Sequence, residues 1–116
     1  MTNLIMPHGS NELNTLYIED ELARASMLSA AAEMRTLEIS SAAAANAVML
    51  AAGYFNPLTG YMNKDDALRV SREMLTMDNL FWPVPIVNLT TDANALEYTH
   101  GEEIALKDPN IEGTPV

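Results

Sequence analysis

The chain contains no cysteine, which excludes a disulfide framework and a metal site built on thiolates. Basic residues are scarce as well: six lysines and arginines stand against sixteen acidic residues, and the formal net charge is −10. Such a charge repels phosphate backbones and anionic lipid. The composition therefore indicates an acidic, soluble surface and argues against nucleic acid and membranes as partners.

A signal peptide and a membrane span are also lacking. Residues 1–9 show no basic stretch followed by a long apolar run, and the longest apolar stretch, residues 42–52, is interrupted by Asn46 and too short for a bilayer. With no cysteine, the cytoplasm is the expected compartment. At 116 residues, the chain suits one domain with a real core.

Side chains able to carry chemistry are few and scattered. His8 and His100 each lie beside a glycine and far apart in sequence, so we interpret them as loop residues rather than metal ligands. Asp65 and Asp66 would point about 100° apart on a helix, which favours helix N-terminal charges over an acid/base pair. The five glycines follow no phosphate-loop spacing.

Two further pairs of residues have structural interpretations. Glu102 and Glu103 at the start of a strand would face opposite sides of a sheet, and Ser40 or Ser41 is better placed to cap a helix than to act as a nucleophile. The residues alone therefore predict no catalytic, cofactor-binding or metal-binding residue in this chain.

The most specific stretch is residues 39–62, ISSAAAANAVMLAAGYFNPLTGYM. It predicts a helix that is apolar on nearly all sides, and hence buried, ending at a left-handed Gly53. An aromatic turn follows. Tyr54, Phe55, Tyr61 and Trp82 could stack nucleobases, but stacking platforms normally lie in basic grooves. We favour the alternative in which Tyr54 and Phe55 plug the core.

The remaining chain predicts short elements around this helix. Strands are expected at residues 13–18, at 36–39, from Ile86 onward and at 102–107. A first helix, residues 19–34, would lie on the core with a stripe of Leu22, Ala25, Ser29 and Ala32. A third, capped by Asn63 and running to about residue 75, would turn Ala67, Val70, Ser71 and Met74 inward. A short helix is expected within residues 91–98.

The last nine residues predict a hairpin loop and only the beginning of its second strand. Residues 108–113 have the composition of a hairpin loop, and residues 114–116 look like the start of a return strand. Because folded domains normally avoid an unpaired edge, we expect this chain to be part of a longer protein.

Three blocks, in order, resemble the N-terminal domain of ATP sulfurylase (sulfate adenylyltransferase), especially the forms of sulfur-metabolising bacteria. They are residues 39–63, with GYFNPLTGYMN at their end, residues 80–86 (LFWPVPI), and residues 104–109 (IALKDP) with 112–116 (EGTPV). The opening residues 7–10 (PHGS) are similar too. The resemblance covers almost the whole chain.

The resemblance implies an α+β, PUA-like pseudo-barrel of short mixed strands and about three helices, with residues 1–116 incomplete at the C-terminus. The whole enzyme converts ATP and sulfate to adenosine 5′-phosphosulfate (APS) and pyrophosphate, or runs the reverse in sulfur oxidation. Its ligands are ATP and sulfate, or APS and pyrophosphate with magnesium.

The family's Q-x-R-N-P and H-x-x-H motifs lie in a catalytic domain and do not occur in this sequence. The resemblance therefore implies that the fragment is inactive alone, supports that domain as its partner, and belongs to a homo-oligomer. The alternatives are a stand-alone RNA-binding PUA-like module, which the net charge opposes, and an interaction module whose last strand pairs with another chain.

Overall fold

The structure is a computed structural model that describes residues 5–108. In chain order its elements are α1 (Glu21–Glu33), β1 (Thr36–Glu38), α2 (Ser41–Ala52), α3 (Lys64–Glu73), α4 (Asp92–Ala95) and β2 (Ala105–Lys107). The chain forms two compact units: a first unit of residues 5–16 and 49–87, and a second unit of residues 17–48 and 88–108. The predicted α+β class is confirmed.

The second unit contains the two strands, which pair in parallel with Leu37 opposite Leu106. The ladder is extended at its ends by backbone bonds from Ala105 N to Arg35 O at 2.8 Å and from Ile39 N to Lys107 O at 3.0 Å. Side chains of this sheet pack against a small buried cluster, which consists of Ile39, Ala43 and Ala44. Strands were predicted at both places, and both are confirmed, although shorter than expected.

Helix α1 begins as predicted but does not lie on the core. The Asp20 carboxylate accepts a hydrogen bond from Ala23 N at 2.8 Å and caps the helix. None of its thirteen residues is buried, and Leu22 is 82% exposed, so the prediction of an inward stripe was wrong. Five of its residues are alanine and two are serine, so the helix carries little apolar area whose burial could stabilise it.

Helix α2 is buried on one side only. Ser40 Oγ accepts from Ala43 N at 3.1 Å, which confirms one of the two predicted caps. Ala43, Ala44 and Leu50 are buried while Val48 is exposed, so the prediction of burial on nearly all sides was wrong. Alanine carries little apolar area, and the free energy gained by covering every face of such a helix is correspondingly small.

Residues of α3 and of the aromatic turn contribute to the core of the first unit. Its buried members are Leu50, Val70, Trp82 and Ile86, and Phe55, Leu58, Tyr61, Met62 and Leu80 pack against them. The predicted Asn63 cap is confirmed, since its side chain accepts from Asp66 N at 2.9 Å. Of the predicted inner face Val70 is buried, but Ser71 and Met74 are exposed; the helix ends at Glu73, and Met74 adopts a left-handed conformation.

Two predicted strands of the first unit do not form. Residues 13–16 and the residues after Ile86 are not assigned to a strand, and single backbone bonds take the place of a ladder. Leu16 N donates to Ala51 O at 2.8 Å, and Met62 N donates to Ile86 O at 2.7 Å. Pro83 and Pro85 have no N–H group and cannot donate to a ladder, and the isolated antiparallel bridge between Leu75 and Phe81 ends before them.

The remaining expectations concern the C-terminal part of the sequence and a membrane span. The short helix predicted within residues 91–98 is α4. The predicted hairpin return at residues 109–116 lies outside the described residues. Among the residues described, no helix is long and apolar enough to cross a membrane.

The left-handed turn after α2 gives the first prediction. Gly53 has a φ of +84°, and an added Cβ would lie 3.1 Å from Leu13 Cδ1 and 3.2 Å from Asn14 O. We expect Gly53→Ala to lower the free energy of unfolding by at least about 1–2 kcal/mol, from the backbone conformation alone. Urea unfolding followed by circular dichroism measures this change.

Gly60→Ala is the matched control, because nothing lies within 4 Å of a Cβ added there. We expect that variant to stay within about 0.5 kcal/mol of the parent chain. Equal losses at the two glycines would contradict the special requirement for glycine at position 53, with its left-handed backbone and its close approach to Leu13 and Asn14.

Candidate functional site

The best-defined polar centre of the first unit is the side chain of Asn56, which is 6% exposed. Asn56 Nδ2 donates to His8 O at 3.0 Å and to Ser10 Oγ at 2.8 Å. Asn56 Oδ1 accepts from the backbone N–H of Asn14 at 3.1 Å. Both amide hydrogens and the amide oxygen are thus engaged, and all three bonds go to the N-terminal arm, residues 7–14.

The arm lies directly against the turn that contains Asn56 and Pro57. The Asn56–Pro57 peptide bond is cis. Gly9 has a φ of +74°, and a Cβ at that position would lie 3.0 Å from both Pro57 and Leu80. Only a residue without a side chain fits this approach, because a methyl group would displace the arm.

His8 holds the arm against an aromatic cluster. Its Nε2 lies 2.7 Å from Phe81 O. Because a carbonyl oxygen can only accept, Nε2 carries the proton of this bond. The His8 ring centroid lies 5.7 Å from that of Trp82, and Phe55 meets Trp82 edge-on at 6.2 Å. These geometries match the tilted and edge-to-face arrangements that aromatic rings prefer.

Beside His8 the cluster opens into a cleft of about 320 Å³, which we call the aromatic cleft. Its walls are His8, Tyr54, Phe55, Asn56, Phe81, Trp82, Pro83 and Val84. Tyr54 is 73% exposed, and Phe81 and Val84 are each more than half exposed. The prediction that Tyr54 plugs the core was therefore wrong, whereas Phe55 does pack there.

A second and larger cavity of about 580 Å³ is lined by residues 57–62 of the turn and by residues of α3 and the loop after it. Its polar groups include Asp66, Thr76 and Asn79, and each of them serves the backbone or a neighbouring side chain. Asp66 Oδ1 accepts from Met77 N at 2.8 Å, and Thr76 Oγ1 accepts from Leu80 N at 3.2 Å. Burial raises the pKa of Tyr61, which lines this cavity, above its ordinary value of 10.0.

Arg69 closes the loop after α3, a role that the sequence did not reveal. Its guanidinium donates to Thr76 O at 2.8 Å and to Asn79 Oδ1 at 2.7 Å, and its Nε donates to Glu73 at 3.0 Å. The sequence around an arginine on a helix surface does not reveal such bonds, because the conformation of the following loop determines which acceptors lie within reach. The sequence does not reveal the role of Asn56 either, because its partners lie more than forty residues away.

The other residues considered for chemistry lie at or near the surface. His8 and His100 are exposed, and Asp65 and Asp66 lie in the first turn of α3 as predicted. Glu102 and Glu103 precede β2 rather than belonging to it, and Glu102 forms an ion pair with Arg35 at 3.3 Å. Within residues 5–108, no group of three or more His, Asp or Glu side chains could hold a metal ion.

A family model described as "PUA-like domain" matches residues 5–116, so the chain belongs to the PUA-like family. It is 53% identical over its whole length to a sulfate adenylyltransferase of Alcanivorax borkumensis. Over 97% of its length it is 43% identical to a sulfate adenylyltransferase of Allochromatium vinosum. The chain spans only 28% of the length of each of these curated relatives.

A solved structure, the hexameric APS kinase from Thiobacillus denitrificans, has a similar fold. It superposes with a TM-score of 0.80 at 31% identity, over 97% of this chain and 22% of its own. The resemblance to ATP sulfurylase inferred from the sequence is confirmed, and so is the PUA-like fold.

The buried amide gives the prediction for this region. Asn56→Ala removes three hydrogen bonds and leaves His8 O and Asn14 N to find other partners, so we expect a loss of about 3 kcal/mol in the free energy of unfolding. The exposed Asn94→Ala on α4 is the control and should change that free energy by less than about 0.5 kcal/mol. A loss below about 1 kcal/mol at Asn56 would contradict the role assigned to its side chain.

Proposed function

We propose that this chain is the N-terminal, non-catalytic portion of a sulfate adenylyltransferase. The observation that carries the proposal is the pairing of 53% identity over the whole chain with a span of only 28% of the relative. A match of that quality across every block of the sequence favours common function, and the short span leaves most of such an enzyme to other residues.

The reaction proposed for the whole protein joins ATP and sulfate into APS and pyrophosphate, or runs in reverse during sulfur oxidation. We propose that ATP, sulfate and magnesium are bound by residues beyond this chain. This is supported by the structural use of the polar residues here: Ser40 caps α2, Asp66 holds a loop amide, and Glu102 pairs with Arg35.

The role proposed for residues 1–116 is to support the catalytic domain and the assembly of a homo-oligomer in the cytoplasm. The hexameric state named for the similar APS kinase supports the second part, since a chain that contains the same fold occurs there in a hexamer. An acidic chain without cysteine is consistent with the compartment.

A second candidate is a portion of an APS kinase, which the same structural neighbour favours. Identity separates the candidates: 53% and 43% to the two adenylyltransferases against 31% to the kinase. The stand-alone binding module stays a third possibility, and the net charge of −10 opposes RNA as its ligand.

The experiment compares the full-length protein with its first 116 residues. With APS, pyrophosphate and magnesium, we expect ATP formation by the full-length protein and none above background by the shorter chain. ATP-dependent phosphorylation of APS by the full-length protein, without pyrophosphate-dependent ATP formation, would favour the kinase instead. Robust turnover by residues 1–116 would contradict the proposal, as would tight, salt-dependent binding of RNA to them.

A further inference from the structure

The aromatic cleft presents a mostly apolar surface that residues 5–108 leave open. Tyr54, Phe81 and Val84 line the cleft and are the exposed part of a region whose other side is core. A partner that covers these three large side chains would remove apolar surface from water, which favours binding. Contiguous apolar surface of this kind marks an interaction site far more often than scattered single residues do.

The charge pattern restricts what fits there. Although the chain has a formal net charge of −10, none of the described residues that line the cleft is Asp, Glu, Lys or Arg. A nucleotide or nucleic acid partner would need basic side chains to balance its phosphates. The cleft instead suits apolar side chains of a polypeptide, whose burial needs no counter-charge.

The length of the related proteins points to the source of that polypeptide. The chain spans 28% of each adenylyltransferase and 22% of the APS kinase, so in all three cases the matching part is joined to a much longer remainder. A segment tied to the same chain is present at a high effective concentration, so even a modest apolar contact stays occupied.

We propose that the aromatic cleft is the docking surface for the remainder of the same polypeptide, which inserts apolar side chains between Tyr54 and the pair Phe81 and Val84. This inference rests on the proposed function for the existence of that remainder. It deepens the supporting role by assigning it to a particular surface: the Asn56 bonds and the His8 contact hold the walls of the cleft in place before the remainder docks.

The test replaces Tyr54 in the full-length protein by a photo-cross-linking residue, Tyr54→p-benzoylphenylalanine. Isotopically light and heavy proteins are mixed, irradiated and digested, and the cross-linked peptides are identified by mass spectrometry. We expect light–light and heavy–heavy cross-links from position 54 to residues beyond 116. Light–heavy cross-links in statistical proportion would show that a second copy occupies the cleft, and an absence of peptide cross-links would show an open cleft; either overturns the inference.

The matched control carries the same residue at Leu96, which is 87% exposed and belongs to the second unit. We expect at least about fivefold fewer cross-links to the remainder from position 96; equal yields at both positions would overturn the inference. The ATP-forming activity of the unsubstituted protein is measured separately. An active enzyme without the position 54 cross-link contradicts only the docking surface, whereas an inactive protein that cross-links contradicts only the enzyme assignment.

Discussion

The first unit depends on one buried side-chain amide. Asn56 engages both its hydrogens and its oxygen with the N-terminal arm, at distances of 2.8–3.1 Å. A buried amide with a missing partner costs more free energy than a satisfied one contributes. Moving the arm would break all three bonds at once, so the bonds and the position of the arm depend on each other. Gly9 against Pro57 and His8 against Phe81 are possible only once the arm lies there.

This dependence explains how a region with little regular structure is held together. The arm has no strand ladder, and Pro83 and Pro85 cannot donate to one. Side-chain bonds from Asn56 and Arg69 and a few backbone bonds, such as Leu16 N to Ala51 O, replace sheet pairing. The aromatic rings of His8, Phe55 and Trp82 then fill the space between them.

The sequence predicted local features well and tertiary contacts poorly. The caps at Ser40 and Asn63, the left-handed Gly53 and the positions of the two strands were predicted correctly, because each depends on residues within a few positions. Burial of Leu22, Tyr54 and Met74 was predicted wrongly, because burial depends on distant parts of the chain. The role of Asn56 was missed because its partners are distant in sequence, and the role of Arg69 because its partners depend on the conformation of the loop after α3. The absence of catalytic residues stays a prediction, and the family assignment rested on resemblance, which the comparisons confirm.

Hydrogen exchange of the Asn14 amide tests the central claim most directly, since this N–H donates to Asn56 Oδ1 from a segment without helix or strand. The account predicts exchange at least ~100-fold slower than in an unstructured peptide, and a return to the unstructured rate in the Asn56→Ala variant. Exchange of Asn14 at the unstructured rate in the parent chain would contradict it.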